Sequence, residues 1–217
     1  MPDLLIPATA LVLLVLLLAS EKQGRTPRGV FIKGSVSALF VITALIQPHP
    51  LSSYYHLILL GLLFGWVGDV CLALPGKRAF RVGLFAFLAG HIFYVWAFAG
   101  LTRPEDWASP IQVMLLAVSC GAFWWLRPHV GRMMVPVTVY LIVITLMLAG
   151  AFAVIRNPDL NAAGRWVILA GALYFYLSDL FVARQRFVTE QYLNRLIGLP
   201  LYYIGQFLIA YSVGLVG

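Results

Sequence analysis

Residues 65–78, GWVGDVCLALPGKR, close one of the most apolar stretches of a 217-residue chain, and they carry an ionisable carboxylate, Asp69, inside it. The run is continuously apolar rather than alternating, so it reads as a helix and not a strand. PGKR then stops the helix and adds positive charge, as at the end of a membrane span. Composition extends this reading to the whole chain. Hydrophobic residues make up 62% and charged residues 11%, and mean hydropathy is +0.92. Soluble domains run near half apolar and a quarter charged, so the chain is predicted to be an all-α integral membrane protein. No polar stretch is long enough for a second domain, and residues 1–217 are expected to form one unit.

Breaks rich in Pro, Gly, Asn and charge divide the chain into eight predicted transmembrane helices, at about 3–19, 30–46, 54–74, 80–101, 108–126, 133–154, 162–183 and 195–215. The opening MPDLLIPATALVLLVLLLAS lacks a basic start and carries Asp3, so it reads as a retained first span rather than a cleaved signal peptide. Positive charges alternate between loops. Lys22, Arg25, Arg28, Lys33, Lys77, Arg78, Arg81, Arg127, Arg132, Arg184, Arg186 and Arg195 belong to the odd connections, whereas Arg103, Arg156 and Arg165 lie on the other side. The positive-inside rule makes the odd loops cytoplasmic and both termini extracytoplasmic. Topology and contact with anionic head groups thus account for the net charge of +7, and nucleic acid is not an expected partner. Cys71 and Cys120 have no CxxC spacing and read as packing residues.

That orientation gives Asp69 a depth of about 8 Å below the cytoplasmic end of its span, at 1.5 Å per residue. The seventh span runs the same way, and GALYFYLSDLFVARQR at 171–186 puts Asp179 at nearly the same depth. Every other acid falls in a loop or at a span end. The two aspartates are 110 positions apart, and RVGLFAFLAGHIFY after the first resembles RLIGLPLYYIGQFL after the second. Gly90-His91 then matches Gly205-Gln206 at an offset of 115, and LFVIT at 39–43 weakly matches LIVIT at 141–145. Two parallel four-helix repeats about an axis along the membrane normal follow from this reading.

An aspartate at mid-span costs about 2.5–3.5 kcal/mol on insertion scales, so it marks function unless it snorkels to the interface. Other polar groups gather at similar or slightly greater depth. His91 and Tyr94 share one face of the fourth span. Ser178 precedes Asp179, Tyr140 lies inside the sixth span, and Tyr202, Tyr203 and Gln206 share adjacent turns of the eighth. Lys33, at the cytoplasmic lip of the second span, suits either snorkelling or phosphate binding. A zinc site wants three or four His, Cys or carboxylate ligands, and with only His91 and the two aspartates plausible and no HExxH, metal binding is weakly supported. Ser178, His91 and an aspartate lack a GxSxG elbow. Facing carboxylates in a low dielectric divide into one protonated and one ionised, giving a general acid and a general base. Which aspartate is which stays open.

GDVCLALP at 68–75, GLFAFLAGHIFYV at 83–95, VPVTVYLIVITLML at 135–148, GALYFYLSDLFVA at 171–183 and YYIGQFLIAY at 202–211 together resemble the YhhN-like lysoplasmalogenase family. One departure is KGS at 33–35, where the family pattern has Lys followed by Pro. The resemblance implies an eight-span enzyme that hydrolyses the vinyl-ether bond of lysoplasmalogens, releasing a fatty aldehyde and a glycerophospho-ethanolamine or -choline. It implies Asp69 and Asp179 as the catalytic pair. Lys33, His91, Tyr94, Tyr140, Ser178, Tyr202, Tyr203 and Gln206 would bind or orient, without cofactor or metal. The partners are then a lysophospholipid and membrane lipids. The expected location is the bacterial inner (cytoplasmic) membrane, with the site toward the cytoplasmic leaflet. The alternative from the residues themselves is a small proton-coupled transporter or a lipid-binding membrane protein using the same carboxylates.

Overall fold

The computed structural model describes residues 2–22 and 27–217; Arg25, assigned above to the first cytoplasmic loop, lies outside the described residues. Among the described residues eight α-helices follow one another: α1 Pro2–Lys22, α2 Pro27–Ile46, α3 Ser52–Ala73, α4 Lys77–Ala99, α5 Pro110–Val130, α6 Met134–Ile155, α7 Ala162–Ala183 and α8 Tyr192–Leu215. No strand occurs among the described residues. Among the described residues seven stretches are long and apolar enough to cross a membrane, and one of them, Pro110–Ile155, is 46 residues long and contains both α5 and α6. Those two helices fold back on each other, since Ser119 on α5 and Thr145 on α6 bring their hydroxyls to 2.7 Å.

The predicted spans shift at their ends, with a common physical reason. Helices extend past the apolar run because charged residues continue them into the head-group region. Glu21 and Lys22 therefore belong to α1, and Lys77, Arg78 and Arg81 to the first turns of α4. RPHVGR was expected to break the chain from Arg127, yet α5 runs through Pro128 to Val130. The reversal comes at Gly131, whose φ of +50° only glycine adopts freely. RQRFVTEQYLN, expected to be a loop, is mostly helical: a five-residue π turn, Arg184–Val188, prolongs α7 toward α8.

Without water between helices, packing depends on close van der Waals approach at small residues. α3 crosses α4 where a Cβ on Gly90 would stand 2.9 Å from the Gly61 carbonyl oxygen. α7 crosses α8 in the same manner, a Cβ on Gly205 standing 2.9 Å from the Gly171 carbonyl oxygen. α4 also packs on α6, and α8 on α2, while α1 lies against α2 and α8. The bundle thus surrounds a polar interior near the C-terminal ends of α3 and α7.

Candidate functional site: two aspartates on one cavity

Asp69 sits four residues before the end of α3, 1% exposed. Lys33 on α2 reaches inward, its Nζ 3.0 Å from Asp69 Oδ1. The other carboxylate oxygen accepts two hydrogen bonds of 2.6 Å, from Ser37 on α2 and from Tyr202 on α8. Tyr202 in turn accepts from Gln206 Nε2 at 3.1 Å, and Gln206 Oε1 accepts from Tyr94 on α4 at 2.8 Å. Tyr203 completes the cluster, its hydroxyl 3.3 Å from Ser37 Oγ. One cation and two hydroxyl donors thus converge on this buried carboxylate.

Asp179, four residues before the end of α7, has different company. Tyr140 on α6 donates to its Oδ2 at 2.8 Å. His91 Nε2 lies 3.7 Å from the same oxygen, too far for a hydrogen bond. The other ring nitrogen, Nδ1, is 2.6 Å from the Phe87 carbonyl oxygen. A carbonyl only accepts, so Nδ1 carries a hydrogen. A neutral ring then turns the bare lone pair of Nε2 toward Asp179, and that buried nitrogen has no hydrogen-bond partner. Two facing acceptors repel unless a proton lies between them. Among the described residues no lysine or arginine pairs with Asp179. The two carboxylates thus have unequal surroundings, a cation and two hydroxyl donors at Asp69 against one hydroxyl donor and an unpartnered nitrogen at Asp179.

Both halves open onto one cavity of about 100 Å³. Lys33, Asp69, Tyr140, Asp179, Tyr202 and Arg186 line it together with an apolar wall that includes Leu126, Leu141 and Ile144. Phe87, Phe175 and Tyr202 meet edge to face, with ring centres 5.2–6.4 Å apart. One acidic or hydrogen-bonding end and one apolar wall suit an amphiphile.

The structure brings most of the predicted residues together. Lys33 is buried and paired with Asp69, so its ammonium is already engaged. Ser178 is placed elsewhere, because its hydroxyl donates to the Phe175 carbonyl of its own helix at 2.8 Å, leaving no Ser-His-Asp arrangement. Ser37 was missed by sequence reading. Its only signal is the i, i+4 spacing from Lys33, which puts both on one helix face. Arg186 was seen only as a topology charge, and the π turn carries it to the cavity wall.

Fold and site together define a helical integral membrane protein whose buried polar cluster faces an apolar cavity. The YhhN family model matches residues 4–213, and the chain belongs to that family. A Mycobacterium tuberculosis protein named lysoplasmalogenase is 28% identical over 190 residues, 85% of this chain and 68% of its own length. The bovine lysoplasmalogenase TMEM86A is 33% identical over 159 residues, covering 71% of this chain and 64% of itself. The pig lysoplasmalogenase TMEM86B is 36% identical over 152 residues, 70% and 61% respectively. The chain thus spans about two thirds of the length of these relatives. No solved structure matches it.

Proposed function

We propose that this chain is a lysoplasmalogenase in which Asp179 is the acid and Asp69 the fixed negative charge. Family membership and the relatives' names support the substrate class. The observation that carries the mechanism is the unequal surroundings of two carboxylates on one cavity.

Hydrolysis of a vinyl ether, R–CH=CH–O–R′, begins with proton transfer to the alkenyl carbon remote from oxygen. The protonated Asp179 supplies that proton, and the remaining electron pair forms an oxocarbenium ion, R–CH2–CH=O⁺–R′. Asp69, ionised against Lys33, stabilises the cation across the cavity. Water then attacks the cationic carbon and gives a proton back to Asp179, now a carboxylate. The hemiacetal collapses when Asp179 protonates the glycerol oxygen and takes up the proton of the hemiacetal hydroxyl, which restores the protonated acid. One water is consumed, and one aldehyde and one alcohol leave. His91 and Tyr140 keep the Asp179 proton in place between steps, which makes them positioning residues.

The eight helices are inferred to cross the membrane eight times, with α5 and α6 as separate spans, both termini extracytoplasmic and the cavity toward the cytoplasmic leaflet. The matched crossings of α3 on α4 and of α7 on α8 support two parallel repeats. So does the pairing of α4 with α6 and of α8 with α2. α3 and α7 have equal length at an offset of 110, and the π turn has the five residues by which the next helices are displaced.

The test is aldehyde release from purified Asp69→Asn and Asp179→Asn on a lysoplasmalogen. Loss of about 10²-fold or more in each folded variant is expected. Near wild-type rates in both would refute the mechanism.

A further inference from the structure

A second cavity, of about 130 Å³, adjoins the first and shares Lys33, Leu72, Phe80, Val182 and Arg186 with it. It adds further polar groups, among them Glu21, Gln185, Asn194 and Arg195. An alkenyl chain along the apolar wall of the first cavity, with its ether bond at the aspartates, would point its glycerol toward this second cavity. The group that arrives there in a lysophospholipid is a phosphodiester anion.

Four cations are close enough to be considered, and three are engaged. Lys33 is bound to Asp69. Arg195 pairs with Glu21 and lies 3.7 Å from Glu190. Arg184 donates to Asn194 Oδ1 at 2.6 Å. Arg186 alone lines both cavities without a carboxylate partner among the described residues. Its guanidinium carbon stands 4.1 Å from the centre of the Phe80 ring, and Phe80 is braced by Phe187 at 6.4 Å. Stacking on an aromatic face fixes the guanidinium plane and leaves its in-plane N–H groups free. A flat fork of donors matches two oxygens of a phosphodiester.

We propose that Arg186, stacked on Phe80, binds the phosphodiester head group of the substrate where the two cavities join. The proposal rests on the lysophospholipid reading and transfers the phosphate role from Lys33, whose charge belongs to Asp69. It divides the site into an apolar chain channel, a proton-transfer centre and an anion anchor.

Binding without turnover separates this proposal from the catalytic one. Wild type and Arg186→Gln are titrated in detergent with two saturated, uncleavable ethers, a 1-alkyl-glycerophosphocholine and a 1-alkylglycerol without phosphate. The expected result is that Arg186→Gln weakens the phospholipid by about tenfold or more and leaves the alkylglycerol unchanged. Phe80→Leu, which keeps the charge and removes the stacking face, weakens the phospholipid by a smaller factor. Equal weakening for both ethers, or none for either, overturns the proposal. Glycerophosphocholine and inorganic phosphate are then compared as competitors against the bound phospholipid. Displacement by glycerophosphocholine alone supports a head-group site, and equal displacement by inorganic phosphate overturns that assignment. Aldehyde release from a lysoplasmalogen, measured in parallel, reports on the enzymatic reading by itself.

Discussion

Replacing Lys33 by Met leaves the shape of the side chain and removes its charge, so Asp69 becomes a buried carboxylate without a cation. The two charges are 3.0 Å apart, an attraction of about 5 kcal/mol at an effective dielectric of about 20. The hydroxyls of Ser37 and Tyr202 remain on the carboxylate and offset part of the loss. Breaking a buried pair from one side costs about 3–5 kcal/mol, and the lower figure applies here: Lys33→Met is expected to lose about 3 kcal/mol of stability. Adding Asp69→Asn removes the stranded charge, so the double variant loses less than the sum of the two singles, by a coupling of about 2 kcal/mol. The assay is unfolding of the purified protein in mixed micelles on titration with sodium dodecyl sulfate, followed by circular dichroism. Aldehyde release should fall by about 10²-fold in the single variant. Strict additivity in the cycle, or a Lys33→Met variant as stable and active as wild type, would show that Lys33 does not charge-balance Asp69.

Other outcomes follow from single contacts. His91→Gln places an amide at the position that Gln206 occupies in the other half; with an N–H donor facing Asp179 the carboxyl gives up its proton, and aldehyde release falls about 10²-fold at a stability within about 1 kcal/mol of wild type. Tyr140→Phe removes the 2.8 Å bond to Asp179 and costs about tenfold in kcat, with KM unchanged. Ser178→Ala leaves kcat within about twofold of wild type, because its hydroxyl serves only the Phe175 carbonyl; a large loss would revive a serine nucleophile. Gly65→Ala puts a Cβ 2.6 Å from Gln206 Nε2 and forces that side chain from Tyr202, lowering stability by about 1–3 kcal/mol in the same unfolding assay.

The helices were legible because hydropathy is a summed signal: 20 apolar residues outvote any one exception, and α7 falls at its predicted 162–183. The ends were not, because Pro128 punctuates the sequence without breaking α5, and Arg184 to Val188 continue a helix despite their charge. Asp69 and Asp179 stood out because charge is rare at that depth. Their partners did not. Ser37 is one hydroxyl in an apolar run, and no spacing rule says that it meets a residue 32 positions away across two helices. Arg186 resembled every other basic residue beside a span until the π turn gave it a direction. Single-helix periodicity places a residue on a face; which helix covers that face is a property of the packed bundle.

A duplicated bundle would, if it stayed symmetric, give two equivalent aspartates, and equivalent groups cannot divide the work of holding a proton and holding a charge. Under the proposed repeat, the offsets mark where equivalence is lost. At 115 positions apart, Phe87 answers to Tyr202 and His91 to Gln206. Tyr202 hands a hydroxyl to Asp69, while Phe87 has none to give and offers only its backbone carbonyl, to His91. Gln206 has a donor for Tyr202 and an acceptor for Tyr94 at once, so its chain of hydrogen bonds closes. His91, its Nδ1 hydrogen committed to Phe87, is left with an unpartnered nitrogen toward Asp179. On the outer flank, α2 contributes the ammonium of Lys33 and the hydroxyl of Ser37, but α6 contributes only the hydroxyl of Tyr140. Each of these differences acts in the same direction, adding donors and positive charge around Asp69 and withholding them from Asp179. On the proposed repeat, the acid and its counter-charge are one structural element used twice, told apart by the few side chains that face them.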